Sequence, residues 1–168
     1  MVAETLITSR LILRQPRASD LEAYTRYCQG PRTKFAGGPF TAVNAFEKMA
    51  EMIGHWTLRG FGRYVIECEG EPIGHVGPLA VHPGTPEMTW TLWTDDAEGH
   101  GYATEAARKV ADHLFNDCDW TALDIVIQAA NSGSIAIADR LGARLTDRPA
   151  PDWYQGAVIY ELDAGTLQ

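Results

Sequence analysis

Cysteine is scarce in this chain. Cys28, Cys68 and Cys118 are the three present, far apart and in no C-x-x-C pair. An odd count without ligand spacing argues against a disulfide framework or a metal site, and predicts reduced, buried thiols in a cytoplasmic protein. No apolar run approaches the roughly 20 residues that span a bilayer. The opening Met1-Val2-Ala3-Glu4-Thr5 lacks the basic-then-apolar order of a secretion signal. Positive charge is short too, with 14 Lys and Arg against 22 Asp and Glu and a formal net charge of −8. That balance speaks against general nucleic-acid binding or attachment to an anionic membrane, and suits a cationic partner such as an amine or a basic peptide. Repeats, low-complexity tracts and linkers are also missing. What remains is an ordinary globular composition, 45% apolar and 21% charged. Residues 1–168 are expected to form one domain, large enough to bury a core without staples.

Hydrophobic spacing gives the elements. Thr5 to Gln15 alternates as a first strand, ended by Pro16. Ser19 is placed to cap a helix from Asp20 to Gln29, which Gly30-Pro31 closes. Thr41 is placed to cap a second helix running to about Leu58, after a loop containing Gly37-Gly38-Pro39. Arg63–Cys68 and Pro72–Val81 flank Glu69-Gly70-Glu71 as a hairpin, and Met88–Thr94 is the next strand. A helix over about Ala103–Asn116, a strand over Leu123–Ala129 and a short helix ending at Leu141-Gly142 follow. Two short strands, Arg144–Asp147 and Ala157–Leu162, close the chain. The order β-α-α-β-β-β-α-β-α-β-β is a mixed α/β pattern (α+β, mixed sheet), and the strands on either side of the main helix should be parallel.

The most informative stretch is Glu98-Gly99-His100-Gly101-Tyr102-Ala103-Thr104-Glu105-Ala106, which joins an apolar strand to an amphipathic helix. Glycines at such a turn leave backbone N–H groups bare at the helix N-terminus, where the dipole favours an anion. A phosphate cradle is the expectation. The G-x-G-x-x-G dinucleotide fingerprint is not met, because Thr104 stands at its third glycine.

Four ordered motifs then resemble the GNAT acyl-CoA-dependent N-acetyltransferases, and within them the RimJ/RimL-type branch. They are Thr8-Ser9-Arg10-Leu11-Ile12-Leu13-Arg14, the strand Pro72-Ile73-Gly74-His75-Val76-Gly77, the loop Gly99 to Ala106, and Asn131 with Ser134 ahead of Leu141-Gly142-Ala143. The resemblance implies a GNAT-like sheet with a splayed central strand pair and acetyl-CoA as cosubstrate. It implies a primary amine as acceptor, either a protein N-terminus or a small amine, and a monomer or homodimer. It places the pantetheine arm along Leu92, Trp93 and Thr94, with an N–H there as oxyanion donor. The pyrophosphate falls on Gly99, His100, Gly101, Tyr102, Ala103 and Thr104, and Asn131 and Ser134 stand by the arm and the sulfur. Three departures stand out. Glu98 occupies a position usually Gln or Arg, so it either points to solvent or weakens cofactor binding. Ala143 replaces a Phe, and Ala138 stands where many members carry a tyrosine acid.

The chemistry needs a neutral amine. At neutral pH a lysine-like amine costs about 4–5 kcal/mol to deprotonate, an α-amine about 1–1.5. Glu87 leads the candidate bases because a regular strand puts it on one polar face with Thr89 and Thr91. His75 is second and Glu67 third, Ser134 is a further candidate catalytic residue, and Tyr160 is an alternative acid. The loops Thr33–Phe40 and Pro149–Gln155 are expected to set acceptor specificity. A non-catalytic acyl-CoA-binding or sensing module, and more weakly a nucleotide-phosphate binder, are the competing readings.

Overall fold

The computed structural model describes residues 1–167. Its elements are β1 (Thr5–Ile7), β2 (Ile12–Arg14), α1 (Leu21–Gln29), α2 (Ala42–Arg59), β3 (Tyr64–Cys68), β4 (Glu71–Leu79) and β5 (Glu87–Leu92), then α3 (Tyr102–Asn116), β6 (Ala122–Gln128), α4 (Ser132–Leu141), β7 (Arg144–Leu145) and β8 (Ala157–Asp163). The strands form one sheet in the order β1-β2-β3-β4-β5-β6-β8-β7. Every neighbouring pair is antiparallel except β5 and β6, which run parallel as their helical crossover requires.

The first strand differs from the expectation. Thr5 to Gln15 is a hairpin, with Ile7 opposite Ile12 and Leu6 opposite Leu13. The Thr8 hydroxyl accepts the Leu11 N–H at 2.9 Å and the Thr8 N–H donates to the Leu11 carbonyl at 2.9 Å. A Thr side chain that satisfies the turn's own backbone stabilises the reversal. Ser19 does not cap the first helix either. A 3₁₀ turn over Ala18–Asp20 leads into α1, and the Asp20 carboxylate accepts the Arg17 N–H at 2.9 Å. Thr41 does cap α2, accepting the Asn44 N–H at 3.1 Å, and Gly142 ends α4 with φ +85°.

Two cores hold the layers together. Tyr64 and Ile66 of β3 face a cluster containing Ala106, Ala107, Val110 and Leu114 of α3. Val65, between them, faces the opposite cluster with Tyr24 of α1 and Met49 and Met52 of α2. That is the period-two alternation of a strand covered on both sides. The small face of α3 brings the helix backbone close to the sheet, against β4 and β5. Close approach within the sheet is fixed at Gly74, where a Cβ would lie 2.4 Å from the Thr91 carbonyl oxygen.

One buried ion pair pins the α1 side. Arg14 donates twice to Asp20, at 2.9 and 2.8 Å, and once to Glu67 at 2.6 Å. Asp20 is 1% exposed. Removing Asp20 takes away two of the three carboxylate bonds that hold the buried Arg14, at the roughly 3–5 kcal/mol scale of a broken buried pair. Asp20→Ala is therefore expected to lower the unfolding free energy by that amount. A urea titration of wild type and variant at neutral pH measures it, and a change under 1 kcal/mol would contradict this account.

Candidate active site

The parallel pair β5–β6 stays in register at one position only, Glu87 opposite Asp124, with the Asp124 N–H donating to the Pro86 carbonyl at 2.9 Å. Beyond it β6 pairs with β8 over seven registers, while β5 continues on β4. A groove of about 1580 Å³ opens along the diverging strands, also lined by the first turns of α3 and α4 and by the 3₁₀ turn Pro31–Ala36. Its wall is the bare edge of β5. The Trp93 N–H donates to the Ile73 carbonyl in β4 at 2.8 Å, so by alternation the Leu92 and Trp90 main chains point the other way, into the gap. The Leu92 carbonyl accepts Arg32 Nε there at 3.1 Å.

This corrects part of the sequence reading. Of Leu92, Trp93 and Thr94, only Leu92 lines the groove. The Trp93 amide is taken by β4 and its side chain is 4% exposed in the α1–α2 core. Thr94 is exposed at the start of the 3₁₀ turn Asp95–Ala97.

The glycine loop leaves the start of α3 bare. Gly99 and Gly101 hold φ of +78° and +77°, and a Cβ on Gly101 would meet only Arg10 Nη2, at 3.7 Å. Glycine is needed for the left-handed backbone rather than for room. The first intrahelical bond runs from the Glu105 N–H to the Gly101 carbonyl at 3.0 Å, and no side chain caps α3. The amides of Tyr102, Ala103 and Thr104 therefore lie ahead of the ladder at the positive end of the helix dipole. These three residues, with Gly99 and Gly101, line the groove, whereas the exposed His100 ring stacks on Tyr102 at 5.2 Å between centroids.

Glu98 lines the groove beside this loop but is charge-paired there. Arg32, at the groove wall, donates to Glu98 and to Asp95, each at 2.6 Å. Its guanidinium neutralises the carboxylate that the sequence leaves beside the anion cradle. Arg10 acts similarly on the helix, bonding Glu105 at 2.6 Å while covering the Tyr102 ring at 4.6 Å.

At the opposite end of β5, the half-buried Glu87 carboxyl has its pKa raised to about 7, first by burial and then by the negative Asp124 beside it. Asp124 itself is held bidentately by Arg148, at 2.8 and 2.6 Å. Asn131 caps α4 through the Ser134 N–H at 3.2 Å, and Ser134 Oγ accepts Trp90 Nε1 at 3.3 Å. Both line the groove with Glu87. The other candidates lie elsewhere. His75 is 5% exposed, outside the groove, and its Nδ1 accepts Trp93 Nε1 at 2.9 Å. Burial lowers its pKa well below the usual histidine range, so it is a neutral core side chain. Glu67 is tied to Arg14, and Tyr160 packs in the α3 core. Ala138, on α4 itself, is fully buried.

Among the groove residues that the sequence reading did not single out are Arg32, Tyr27 and Tyr154. Tyr27 of α1 is buried, and that burial pushes its pKa up to about 12. Tyr154 donates its hydroxyl to the Phe35 carbonyl. Only the narrowing of the groove by the two loops that carry Phe35 and Tyr154 was signalled in the sequence.

Comparisons with known proteins agree with this geometry. The family model described as acetyltransferase (GNAT) domain matches residues 10–144. The uncharacterized N-acetyltransferase p20 of Bacillus licheniformis is 28% identical over 145 residues, covering 82% of this chain and 81% of that protein. The crystal structure of an acetyltransferase from Agrobacterium tumefaciens superposes with a TM-score of 0.85 at 29% identity, covering 96% of this chain and 95% of that one. RimL, a ribosomal L7/L12 alpha-N-protein acetyltransferase solved with coenzyme A, shares the fold with a TM-score of 0.77 at 18% identity, over 94% of this chain and 96% of its own.

A left-handed conformation costs a non-glycine residue about 1–2 kcal/mol. Gly101→Ala is thus expected to lower unfolding free energy by that amount in urea. It is also expected to weaken coenzyme A binding by calorimetry, because the amides of Tyr102 and Ala103 turn away. Unchanged values for both would refute the cradle.

Proposed function

Because the chain belongs to the GNAT acetyltransferase family, we propose that it transfers the acetyl group of acetyl-CoA to a primary amine by direct attack in a ternary complex. One juxtaposition carries this reading. The uncapped start of α3, the bare edge of β5 and the raised carboxyl of Glu87 line the same groove.

Acetyl-CoA supplies a thioester carbon open to attack. The amides of Tyr102, Ala103 and Thr104 hold the pyrophosphate, a divalent anion suited to a helix N-terminus. The main chain of Trp90 and Leu92 gives the pantetheine arm a strand edge to pair with, and the Leu92 N–H meets the charge that gathers on the thioester oxygen. Glu87, ionised above about pH 7, takes the proton from the amine directly or through a water. Ser134 Oγ already accepts from Trp90, so its own hydrogen is free to donate toward the leaving sulfur. This role replaces the tyrosine acid absent at Ala138.

The competing reading, a non-catalytic acyl-CoA-binding or sensing module, draws on that missing tyrosine. Thiol release from acetyl-CoA in the presence of amines separates the two, because a sensor binds coenzyme A and releases nothing.

Glu87 gives the pH dependence its sign. If it is the base, kcat/KM rises with pH through about 7 and then levels. Glu87→Gln is expected to lower the plateau by roughly 10²–10⁴-fold and to abolish the rising limb. Stability should move the opposite way. The folded carboxyl holds its proton more tightly than the unfolded one, whose pKa is 4.5. Folding stability therefore declines as pH climbs from 4.5 to about 7. Thermal unfolding across that range should show a shallower slope for Glu87→Gln. A variant that keeps both the rate and the pH limb removes Glu87 from the mechanism.

A further inference from the structure

The groove has two sides, and the second describes the acceptor. On the α3 side lie the anion cradle, Asn131 and Ser134. By strand alternation Glu87, Thr89 and Thr91 project to the other side, where Tyr27 of α1 also lines the groove. Three rings line this side: Tyr27, Phe35 and Tyr154.

A strap crosses its mouth. Tyr154, in the segment between β7 and β8, donates its hydroxyl to the Phe35 carbonyl in the turn after α1. The two residues belong to opposite sides of the splayed strand pair, so the bond spans the opening. The strap is anchored at its base. Gln128 Nε2 donates to the Gln155 carbonyl at 2.8 Å, and the Tyr154 N–H to the Pro151 carbonyl at 2.9 Å. Behind it the rings of Tyr154, Trp153 and His82 stack in series, with interplanar angles of 5° and 4°. A polypeptide bound by its N-terminus must leave the site as a continuous chain, and the strap lies across that exit.

Charge narrows the acceptor further. Asp124 is held by Arg148, and Asp95 and Glu98 by Arg32. Among the described residues Glu87 is the one carboxylate at this side of the groove without an ion pair or hydrogen bond. One carboxylate among aromatic walls matches one ammonium on an apolar or planar body. A polyamine would bring a second ammonium with no counter-charge to meet it.

Resting on the acetyl-transfer reading, we propose that the acceptor is a small primary monoamine with an aromatic body, and that the Tyr154–Phe35 strap excludes polypeptide N-termini. Coenzyme A binding by calorimetry comes first, since its absence overturns the transferase reading itself. Thiol release from acetyl-CoA is then measured with 2-phenylethylamine, spermidine and an octapeptide with a free N-terminus. The expected kcat/KM for 2-phenylethylamine exceeds both others by about 100-fold. Tyr154→Ala should cut its preference over the octapeptide at least about tenfold, the scale of a pocket contact. Tyr154→Phe keeps the ring, removes the bond and should shift the ratio the same way, which guards against a folding failure. Octapeptide or spermidine turnover equal to that of 2-phenylethylamine overturns the proposal. So does coenzyme A binding with no thiol release for any of the three amines.

Discussion

After a single register with β5, β6 directs its hydrogen bonds to β8, and β5 is left with an unpaired edge facing a groove. Buried or half-buried backbone donors and acceptors are costly to leave without partners. Here the edge lies open to solvent and to any extended amide-bearing ligand. The site's other features are arranged around that opening. α3 packs against β5 and presents its free amides, Arg32 grips the Leu92 carbonyl, and Glu87 marks the point where the strands part. Were β5 and β6 zipped along their length, no groove would exist between the halves of the sheet.

Electrostatics at this opening run against the whole-chain balance. A net charge of −8 should repel a phosphorylated cosubstrate at long range. At contact range the local arrangement decides, because distant charges are screened beyond about 8–10 Å at ordinary salt. Arg32 and Arg10 each neutralise carboxylates beside the start of α3, and the helix dipole then acts with little opposition. At the other end the same negative surroundings serve a different purpose. Asp124 lies close enough to Glu87 to raise its pKa, while Arg148 keeps Asp124 itself paired. Surroundings that favour an anion and surroundings that favour a cation thus share one groove, separated along β5.

Much of this was legible in the chain itself. The glycine loop, the caps at Thr41 and Gly142, the parallel strand pair and the groove positions of Glu87, Asn131 and Ser134 all follow from local rules. Spacing and residue type carry the information needed there. The misreadings share a cause. Thr5–Gln15 alternates like one strand, yet the Thr8 side chain folds it back. His75 has the chemistry of a base, yet the face it points to is covered by Tyr24 and Trp93. Trp93 sits at the motif position, yet its amide points to the wrong neighbour.

Sequence by itself determined most of the helices and strands, the glycine loop that leaves the start of α3 uncapped and which family the motifs resemble. Those depend on backbone preferences and contacts within a few residues. Tertiary structure decided which edge of β5 is free, which carboxylates are neutralised and which loops meet across the groove. Arg32 with Glu98, Arg148 with Asp124, and Tyr154 with Phe35 are 66, 24 and 119 residues apart. No local pattern encodes such pairs, because each partner's position is set only when separate elements pack on a common sheet.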